Sequence, residues 1–192
     1  QAFATPMDRR HFIPLTAIAG LMLLASGCAS LLPGNCERFA DDRKKTDYAT
    51  RYKLSASRTE DAVKQFPPLP RGTAAMTRLY RIGMSSKETH TCRHITIEKD
   101  LYLQRLPANG VVLEEVREIY TTGGGRIATR TENVTAQLAR TGYYQAEVAF
   151  PILEKTPPGT YRVVSRLLVR SRTHGTRQLA QAESQFTVLA RR

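Results

Sequence analysis

A two-residue alternation of apolar and polar side chains constrains the fold more than any other feature of this chain. In the segment GTYRVVSRLLVR, residues 159–170, apolar side chains recur at every second position and arginines stand between them. The apolar set is Tyr161, Val163, Leu167 and Val169, and the arginine set is Arg162, Arg166 and Arg170. Because successive strand side chains point to opposite faces, the pattern predicts an antiparallel strand with one buried face and one solvated face.

The same pattern recurs along most of the chain after Thr73. In GYYQAEVAF, residues 142–150, Tyr144, Ala146, Val148 and Phe150 share one face. Residues 76–82, 126–131 and 184–190 are also typical of strands, and 111–120 is interpreted as a strand because TTGGGR follows it as a hairpin loop. We therefore predict an antiparallel immunoglobulin-like β-sandwich of about seven or eight strands over residues 48–192.

One charged residue interrupts a predicted buried face. In HITIEKDLYL, residues 94–103, Ile95, Ile97, Leu101 and Leu103 share a face, and Lys99 falls in the same series. A lysine is rarely buried without a partner. We expect a bulge or a sheet edge at Lys99.

The segment TPPGTYRVV, residues 156–164, resembles the turn that enters a late strand in bacterial immunoglobulin-like domains. In those domains a glycine turns the chain and a tyrosine packs under the turn. The resemblance covers nine residues and implies the same sandwich architecture.

The segment before the strands predicts one short helix. Ser57 and Glu60 have the spacing of a capping box, and Pro67 and Pro68 follow an apolar series that ends at Phe66. Residues 29–46 are small or of mixed charge, so we interpret residues 28–47 as an acylated cysteine and a linker.

An apolar run near the beginning of the chain is typical of an export signal. Phe12 to Leu24 carry no charge, but the run is shorter than the roughly 20 residues that a membrane-spanning helix needs. Arg9 and Arg10 precede it and small residues follow it, as in a secretory signal. We predict a signal peptide over residues 1–27, with Met7 as the start and residues 1–6 as an upstream extension.

The end of this run, Leu24-Ala25-Ser26-Gly27-Cys28, resembles the lipobox of bacterial lipoproteins. The resemblance implies cleavage before Cys28 and acylation of that cysteine with chains such as palmitate, which anchor a protein durably. Ala29 in place of an aspartate implies the outer membrane, with the domain on its periplasmic face. A buried core helix with an incidental cysteine is the alternative.

Two export routes are compatible with the sequence before Cys28. Asp8-Arg9-Arg10-His11-Phe12-Ile13 resembles a twin-arginine signal, although Pro14 stands where a lysine is common. An ordinary signal that happens to contain two arginines is the alternative, and it implies the general secretory route.

The charge of the chain bears on its partners. The formal net charge is +12 at pH 7, from 29 basic and 17 acidic side chains. Such a balance in the cytoplasm indicates nucleic acid, but an exported lipoprotein meets the membrane, acidic envelope polymers and other envelope proteins instead. We therefore predict no nucleic-acid partner.

Two cysteines remain besides Cys28, and they allow two interpretations. In an oxidising compartment Cys36 and Cys92 are expected to form a disulfide. Alternatively, if residues 90–94 lie on a strand, then His90, Cys92 and His94 share a face and could bind zinc or copper. Without that metal site we expect no cofactor.

Catalytic motifs for a serine-hydrolase elbow, a zinc protease or a phosphate loop do not occur in the sequence. The leading hypothesis is a non-enzymatic envelope lipoprotein that binds or scaffolds another envelope component. Its predicted binding surface combines exposed Tyr143 and Gln145 with Arg162 and Arg166, since tyrosine and arginine are enriched where interfaces carry their energy. The alternative is a periplasmic lipoprotein that handles a metal or cofactor through His90, Cys92 and His94.

Overall fold

The computed structural model describes residues 35–107, 110–171 and 175–190, which belong to one compact unit beginning at Asn35. The predicted signal peptide, the twin-arginine motif, the lipobox and Cys28 lie outside the described residues, so those expectations stay predictions. Within the described ranges, no helix combines the length and apolar character needed to cross a membrane.

Two helices and nine strands make up the described part of the chain. In chain order they are α1 (Asn35–Lys45), β1 (Lys53–Ser55), α2 (Ala56–Gln65), β2 (Ala75–Met84), β3 (Glu88–Thr89), β4 (Arg93–Arg105), β5 (Val111–Thr121), β6 (Arg126–Asn133), β7 (Gly142–Ile152), β8 (Gly159–Ser171) and β9 (Gly175–Val188).

The strands form two sheets that pack face to face. One sheet has the order β1-β7-β4-β2 and the other has the order β3-β9-β8-β5-β6. All described pairings are antiparallel except the two-residue pairing of β3 with β9. The predicted β-sandwich is confirmed, and the short strands β1 and β3 bring the described strand number above the one expected from the sequence.

The core lies between the sheets and contains the predicted inward positions of β4 and β8. Leu101 and Leu103 of β4 meet Leu113 of β5 and Leu167 of β8 in one apolar cluster, and all four are fully buried. A second cluster contains Ile97, Ile119, Val163 and Phe186, among others. The alternation of apolar residues therefore identified the buried faces because one side of each sheet packs against the other sheet.

The predicted bulge or edge at Lys99 is wrong. Strand β4 is a central strand that pairs with β2 and β7, and its register with β7 is continuous from Arg93 to Leu103. The irregularity in this sheet lies on β2, between Thr77 and Leu79. Lys99 points into the core, where a charged partner compensates its burial.

The predicted short helix is confirmed as α2, but its start differs. Ser55 is the N-cap and its side chain makes no capping hydrogen bond, so the capping box at Ser57 does not form. Instead, the Thr59 hydroxyl donates to the Ser55 carbonyl at 2.6 Å and accepts from the Tyr143 backbone N–H at 2.9 Å. These bonds fasten α2 to β7.

The predicted linker is wrong for residues 35–45, which form helix α1. Phe39 on this helix is buried and packs against His94, with 4.9 Å between the ring centroids. Phe39 and a disulfide fasten this helix to the domain, and it has no continuous apolar face. The sequence of residues 35–45 therefore lacks the apolar pattern from which a helix is predicted.

The disulfide predicted between Cys36 and Cys92 is confirmed, with 4.9 Å between the two Cα atoms. It joins α1 to the residue directly before β4 and closes a loop with a sequence separation of 56. A loop of this length is expected to stabilise the fold by constraining the unfolded chain.

Replacing both cysteines, as Cys36→Ser with Cys92→Ser, is expected to lower the free energy of unfolding by about 4 kcal/mol in the chain-entropy description. Chemical denaturation monitored by circular dichroism measures the change. Ser57→Ala, at an exposed position of α2, is a control expected to change it by less than about 1 kcal/mol. An unchanged unfolding midpoint in the double serine variant would contradict a structural role for the bond.

Candidate functional site

A buried ion pair lies between the two sheets. Lys99 on β4 and Glu115 on β5 both point inward, and their side chains are 0% and 1% exposed. The ammonium group of Lys99 donates a hydrogen bond to Glu115 Oε1. This contact joins the central strand of one sheet to an inner strand of the other.

Hydrogen bonds from three further elements complete this buried polar centre, which consists of Thr50, Tyr80, Lys99, Glu115 and Ser165. The Tyr80 hydroxyl on β2 donates to Glu115 Oε1 at 2.8 Å, and the Ser165 hydroxyl on β8 donates to the same oxygen at 2.6 Å. Lys99 Nζ lies 3.3 Å from the Thr50 hydroxyl. The polar centre therefore compensates two buried charges with neutral donors as well as with each other.

The segment before β1 carries Thr50 to the polar centre. Thr50 donates through its backbone N–H and its hydroxyl to the carboxylate of Glu132 at the end of β6, with a hydroxyl distance of 2.8 Å. Gln137 accepts from the Tyr52 N–H at 2.7 Å and donates to the Thr50 carbonyl at 3.0 Å. These bonds fix residues 50–52 along the side of the sandwich between β6 and β7, which we call the open side.

Arg117 extends the polar groups toward that open side. It stands two residues after Glu115 on the inward face of β5, and its side chain is 5% exposed. Its Nη2 donates to the Tyr48 carbonyl at 3.2 Å, and Glu132 Oε2 lies 3.9 Å away. Its Nη1 is buried and has no hydrogen-bond partner among the described residues.

A cleft of about 320 Å³ opens beside Arg117. It lies at the side of the sandwich between β6 of one sheet and β7 of the other. We call it the arginine cleft; it is lined by Arg43, Arg117 and Arg130, with Ile119, Phe150 and Pro151 among its apolar wall residues. Arg130 pairs with Glu132 at 3.1 Å. Helix α1 supplies Arg43, so the disulfide that holds α1 also holds one wall of the cleft.

Burial and pairing shift the protonation equilibria of the polar centre. Burial raises the pKa of Glu115, but the Lys99 charge and the donated hydrogen bonds outweigh burial and leave that pKa below its ordinary value. Burial lowers the pKa of the Lys99 amine, and Glu115 opposes this effect. Burial and the Glu115 charge raise the pKa of Tyr80 well above its ordinary value. These shifts favour a carboxylate at Glu115 and a protonated phenol at Tyr80.

A larger depression of about 670 Å³ lies on the outer side of the four-stranded sheet. Glu98 and Glu147 stand opposite each other on β4 and β7 there, and both are exposed. Asp100 accepts from Arg58 at 3.0 Å and from Gln145 at 3.2 Å. Exposed charges that are partnered or solvated in this way are ordinary for a sheet surface.

The alternative metal site does not assemble as the sequence pattern suggested. Cys92 has a positive φ of 59°, and β4 begins only at Arg93, so residues 90–94 do not share one strand face. The Cys92 sulfur is held in the disulfide and offers no thiolate. His90 is exposed, whereas His94 makes a hydrogen bond with the Tyr48 hydroxyl at 2.8 Å.

The predicted binding surface is divided between the two sheets. Tyr143 and Gln145 lie on β7 of the four-stranded sheet, whereas Arg162 and Arg166 lie on β8 of the five-stranded sheet. Each of the four has partners on its own face: Tyr143 and Gln145 contact Arg58 and Asp100 respectively. Arg162 pairs with Glu183 at 3.0 Å, and Arg166 donates to Glu118. The four residues therefore form no single patch.

Sequence reasoning did not identify Lys99, Glu115 and Arg117 as site residues. The signal was present: the inward series of β5 runs Leu113, Glu115, Arg117, Ile119, with charges at two buried positions. A charge pair across the core requires a lysine at a buried position of one strand and a glutamate at a buried position of another. Lys99 and Glu115 meet this requirement.

The comparisons with known proteins give no family. No protein-family model matches the chain, and no curated protein matches it.

Among solved structures, the C-terminal domain of wzt is similar at 11% identity and a TM-score of 0.46, over 72% of this chain and 91% of that chain. The alkylpurine DNA glycosylase AlkC of Pseudomonas fluorescens, bound to DNA containing an abasic site analog, is similar at 17% identity and a TM-score of 0.38. That match covers 62% of this chain and 31% of the glycosylase chain. The CARDB domain of the PF1109 protein from Pyrococcus furiosus, in complex with di-metal ions, is similar at 11% identity and a TM-score of 0.35, over 61% of this chain and 94% of that one. Likenesses this distant carry no argument about function.

Removing either partner of the buried ion pair is expected to destabilise the fold by about 3–5 kcal/mol, because the remaining charge is left buried without compensation. The double variant Lys99→Met with Glu115→Gln removes both charges and keeps an acceptor for Tyr80 and Ser165. It should be at least about 2 kcal/mol more stable than the sum of the single effects predicts. Urea denaturation of the three variants measures this coupling.

The matched control is the pair formed by Arg170 on β8 and Glu114 on β5 at 2.8 Å, which lies on the outer face of the five-stranded sheet. Arg170→Gln is expected to lower the free energy of unfolding by less than about 1 kcal/mol. Equal effects at the buried pair and at this outer pair would contradict the role assigned to the polar centre.

The lowered pKa of Glu115 predicts a specific acid sensitivity. A carboxylate with a depressed pKa in the folded state stabilises the fold above its ordinary pKa of about 4.3, and this contribution is lost as the pH falls through the folded-state pKa. Between pH 7 and pH 3 the wild type should lose more free energy of unfolding than the Lys99→Met/Glu115→Gln variant. Denaturation at both pH values tests this, and equal losses would show that Glu115 does not titrate differently on folding.

Proposed function

We propose that this chain is a non-enzymatic binding module of the bacterial envelope, anchored by acylated Cys28 to the periplasmic face of the outer membrane. The lipobox Leu24–Cys28 supports the anchor, and the apolar segment with Arg9 and Arg10 before it supports export. In this proposal the β-sandwich is the part that contacts another envelope component.

The observation that supports export most directly is the disulfide between Cys36 and Cys92. Disulfides persist in oxidising compartments such as the periplasm and are rare in the cytosol, where thiols are kept reduced. The bond lies eight residues from the proposed acylation site along the sequence, and it fastens α1 to the sandwich. A lipid anchor at Cys28 would therefore lead into the folded domain through a covalently fixed helix.

Binding rather than catalysis is supported by the way the reactive side chains are used. Ser165 is fully buried, and its hydroxyl donates to Glu115. Lys99 is equally buried and pairs with the same carboxylate. A nucleophile that is enclosed in the core and hydrogen-bonded there has no access to a substrate, so the polar centre acts as a structural element that supports the arginine cleft.

The choice of partner follows from the charge. The chain has a formal net charge of +12, and the arginine cleft concentrates three guanidinium groups at the open side of the sandwich. An acidic component of the envelope fits such a surface better than a basic one, because complementary potentials steer association. We propose an acidic envelope ligand or an acidic patch of an envelope protein as the partner.

Replacing Cys28 with serine is expected to abolish acylation and to leave either an uncleaved precursor or a soluble product. Metabolic labelling with palmitate, followed by fractionation of envelopes, measures the outcome. Ser30→Ala is the matched control, since it changes a small residue just outside the motif and should leave labelling intact. A Cys28→Ser protein that is labelled and migrates like the wild type would overturn the anchor.

A further inference from the structure

We infer that the arginine cleft is a binding site for a small amphiphilic carboxylate, that is, a singly charged carboxylate attached to an apolar body. The inference rests on the proposed function, because it names the ligand class of the binding module. It identifies a site at the open side of the sandwich, away from the two outer sheet faces.

The first observation is the incomplete hydrogen bonding of Arg117. Burying a charged donor without a partner is unfavourable, and the great majority of buried polar groups are therefore hydrogen-bonded. Arg117 is 5% exposed and lines the cleft, yet its Nη1 has no partner among the described residues. Its Nη2 is occupied by the Tyr48 carbonyl at 3.2 Å. The guanidinium therefore keeps a donor without a partner behind the cleft wall. Four other buried side-chain atoms of the described residues, Glu115 Oε2 among them, also lack a partner.

The second observation is the charge of the walls. Arg43, Arg117 and Arg130 line the cleft together, and Glu132 is the carboxylate that contacts two of them, Arg117 at 3.9 Å and Arg130 at 3.1 Å. In the described part of the chain, no carboxylate lies within ion-pair distance of Arg43. The Asp47 carboxylate pairs with Arg51 at 2.7 Å. The positive charge of Arg130 also contributes to lowering the pKa of Asp47. The walls therefore carry more positive than negative charge.

The third observation is the apolar lining beside the arginines. Ile119, Phe150 and Pro151 line the same cleft, and Ile119 is 1% exposed. A volume of about 320 Å³ lies at the small end of the range for ligand sites, which combine apolar walls with a few polar groups that fix orientation. A free inorganic anion would leave Phe150 and Pro151 in contact with water, whereas an amphiphile covers them.

A carboxylate suits the site better than a phosphate does. Glu132 does not line the cleft but lies next to both Arg117 and Arg130, so its negative charge offsets part of theirs and disfavours a doubly charged phosphate. A carboxylate carries a single charge and matches one guanidinium group. The cleft thus favours a ligand that combines a single negative charge with an apolar body.

The test uses the full chain in nanodiscs of zwitterionic lipid, with protein-free nanodiscs as the blank, and isothermal titration calorimetry. The probes are hexanoate, hexanol, hexyl phosphate and inorganic phosphate. We expect hexanoate to bind with one-to-one stoichiometry and at least about tenfold more tightly than the other three, since only hexanoate combines a singly charged hydrogen-bond acceptor with an apolar chain. Hexanol binding equally well, or either phosphate binding as tightly as hexanoate, would overturn the inference, as would no binding of hexanoate.

Three variants assign the binding to the cleft. Arg117→Lys keeps a charge but loses the planar donor pair, and Arg43→Gln with Arg130→Gln removes the two more exposed guanidinium groups. Both are expected to weaken hexanoate binding at least about tenfold. Ala149→Phe places a ring in the cleft and should abolish binding without removing any charge. Thermal unfolding confirms that each variant is folded.

The control removes the same charge from the outer face of the five-stranded sheet, as Arg162→Gln with Arg170→Gln. This double variant should bind hexanoate as the wild type does, and an equal loss of affinity there would assign the effect to net charge and overturn the site. The measurement is also independent of the anchor: a soluble Cys28→Ser protein that binds hexanoate would contradict nothing in this inference, and a palmitate-labelled protein that does not bind would contradict only this inference.

Discussion

The sandwich has to keep Lys99 and Glu115 in contact, because neither charge is solvated by water. Transferring an ion from water into a protein interior is unfavourable by several kcal/mol, and mutual attraction compensates this only when the geometry and the remaining hydrogen bonds are satisfied. Tyr80 and Ser165 supply such bonds from two further strands. A shift of β4 or β5 by two residues would separate the charges, so the pair specifies how one sheet lies over the other.

The polar centre and the arginine cleft are two ends of one connected group of side chains. Glu115 and Arg117 share the inward face of β5, and Glu132 contacts both Arg117 and Thr50, whose hydroxyl also contacts Lys99. At the buried end, Glu115 Oε1 accepts from Lys99, Tyr80 and Ser165, whereas Glu115 Oε2 and Nη1 of Arg117 have no partner in the described residues. In the proposed site, this buried base would hold Arg117 in place beneath the cleft.

Helix α1 links the proposed anchor to the cleft. The disulfide holds Cys36 beside the start of β4, Phe39 packs on His94, and Arg43 reaches the cleft from the same helix. In the proposed orientation the chain would pass from acylated Cys28 into this helix, which places the cleft wall close to the anchor in sequence. The oxidised state of the two cysteines would then maintain both the stability of the domain and the shape of its binding site.

The sequence by itself determined the class of fold, the inward positions of the long strands, the α2 segment and the partnership of Cys36 and Cys92. A period of two is a local property of a strand. With Cys28 set aside as the proposed acylation site, Cys36 and Cys92 had one possible pairing, with the metal site at Cys92 as the alternative. Only the tertiary structure decided which strands share a sheet, and this choice places Tyr143 and Arg162 on different faces. It also decided that Lys99 is buried. Its partner Glu115 lies on a strand of the other sheet, so the two charges meet only when the sheets pack together. Contacts between strands of different sheets depend on long-range pairing, which a local pattern does not encode.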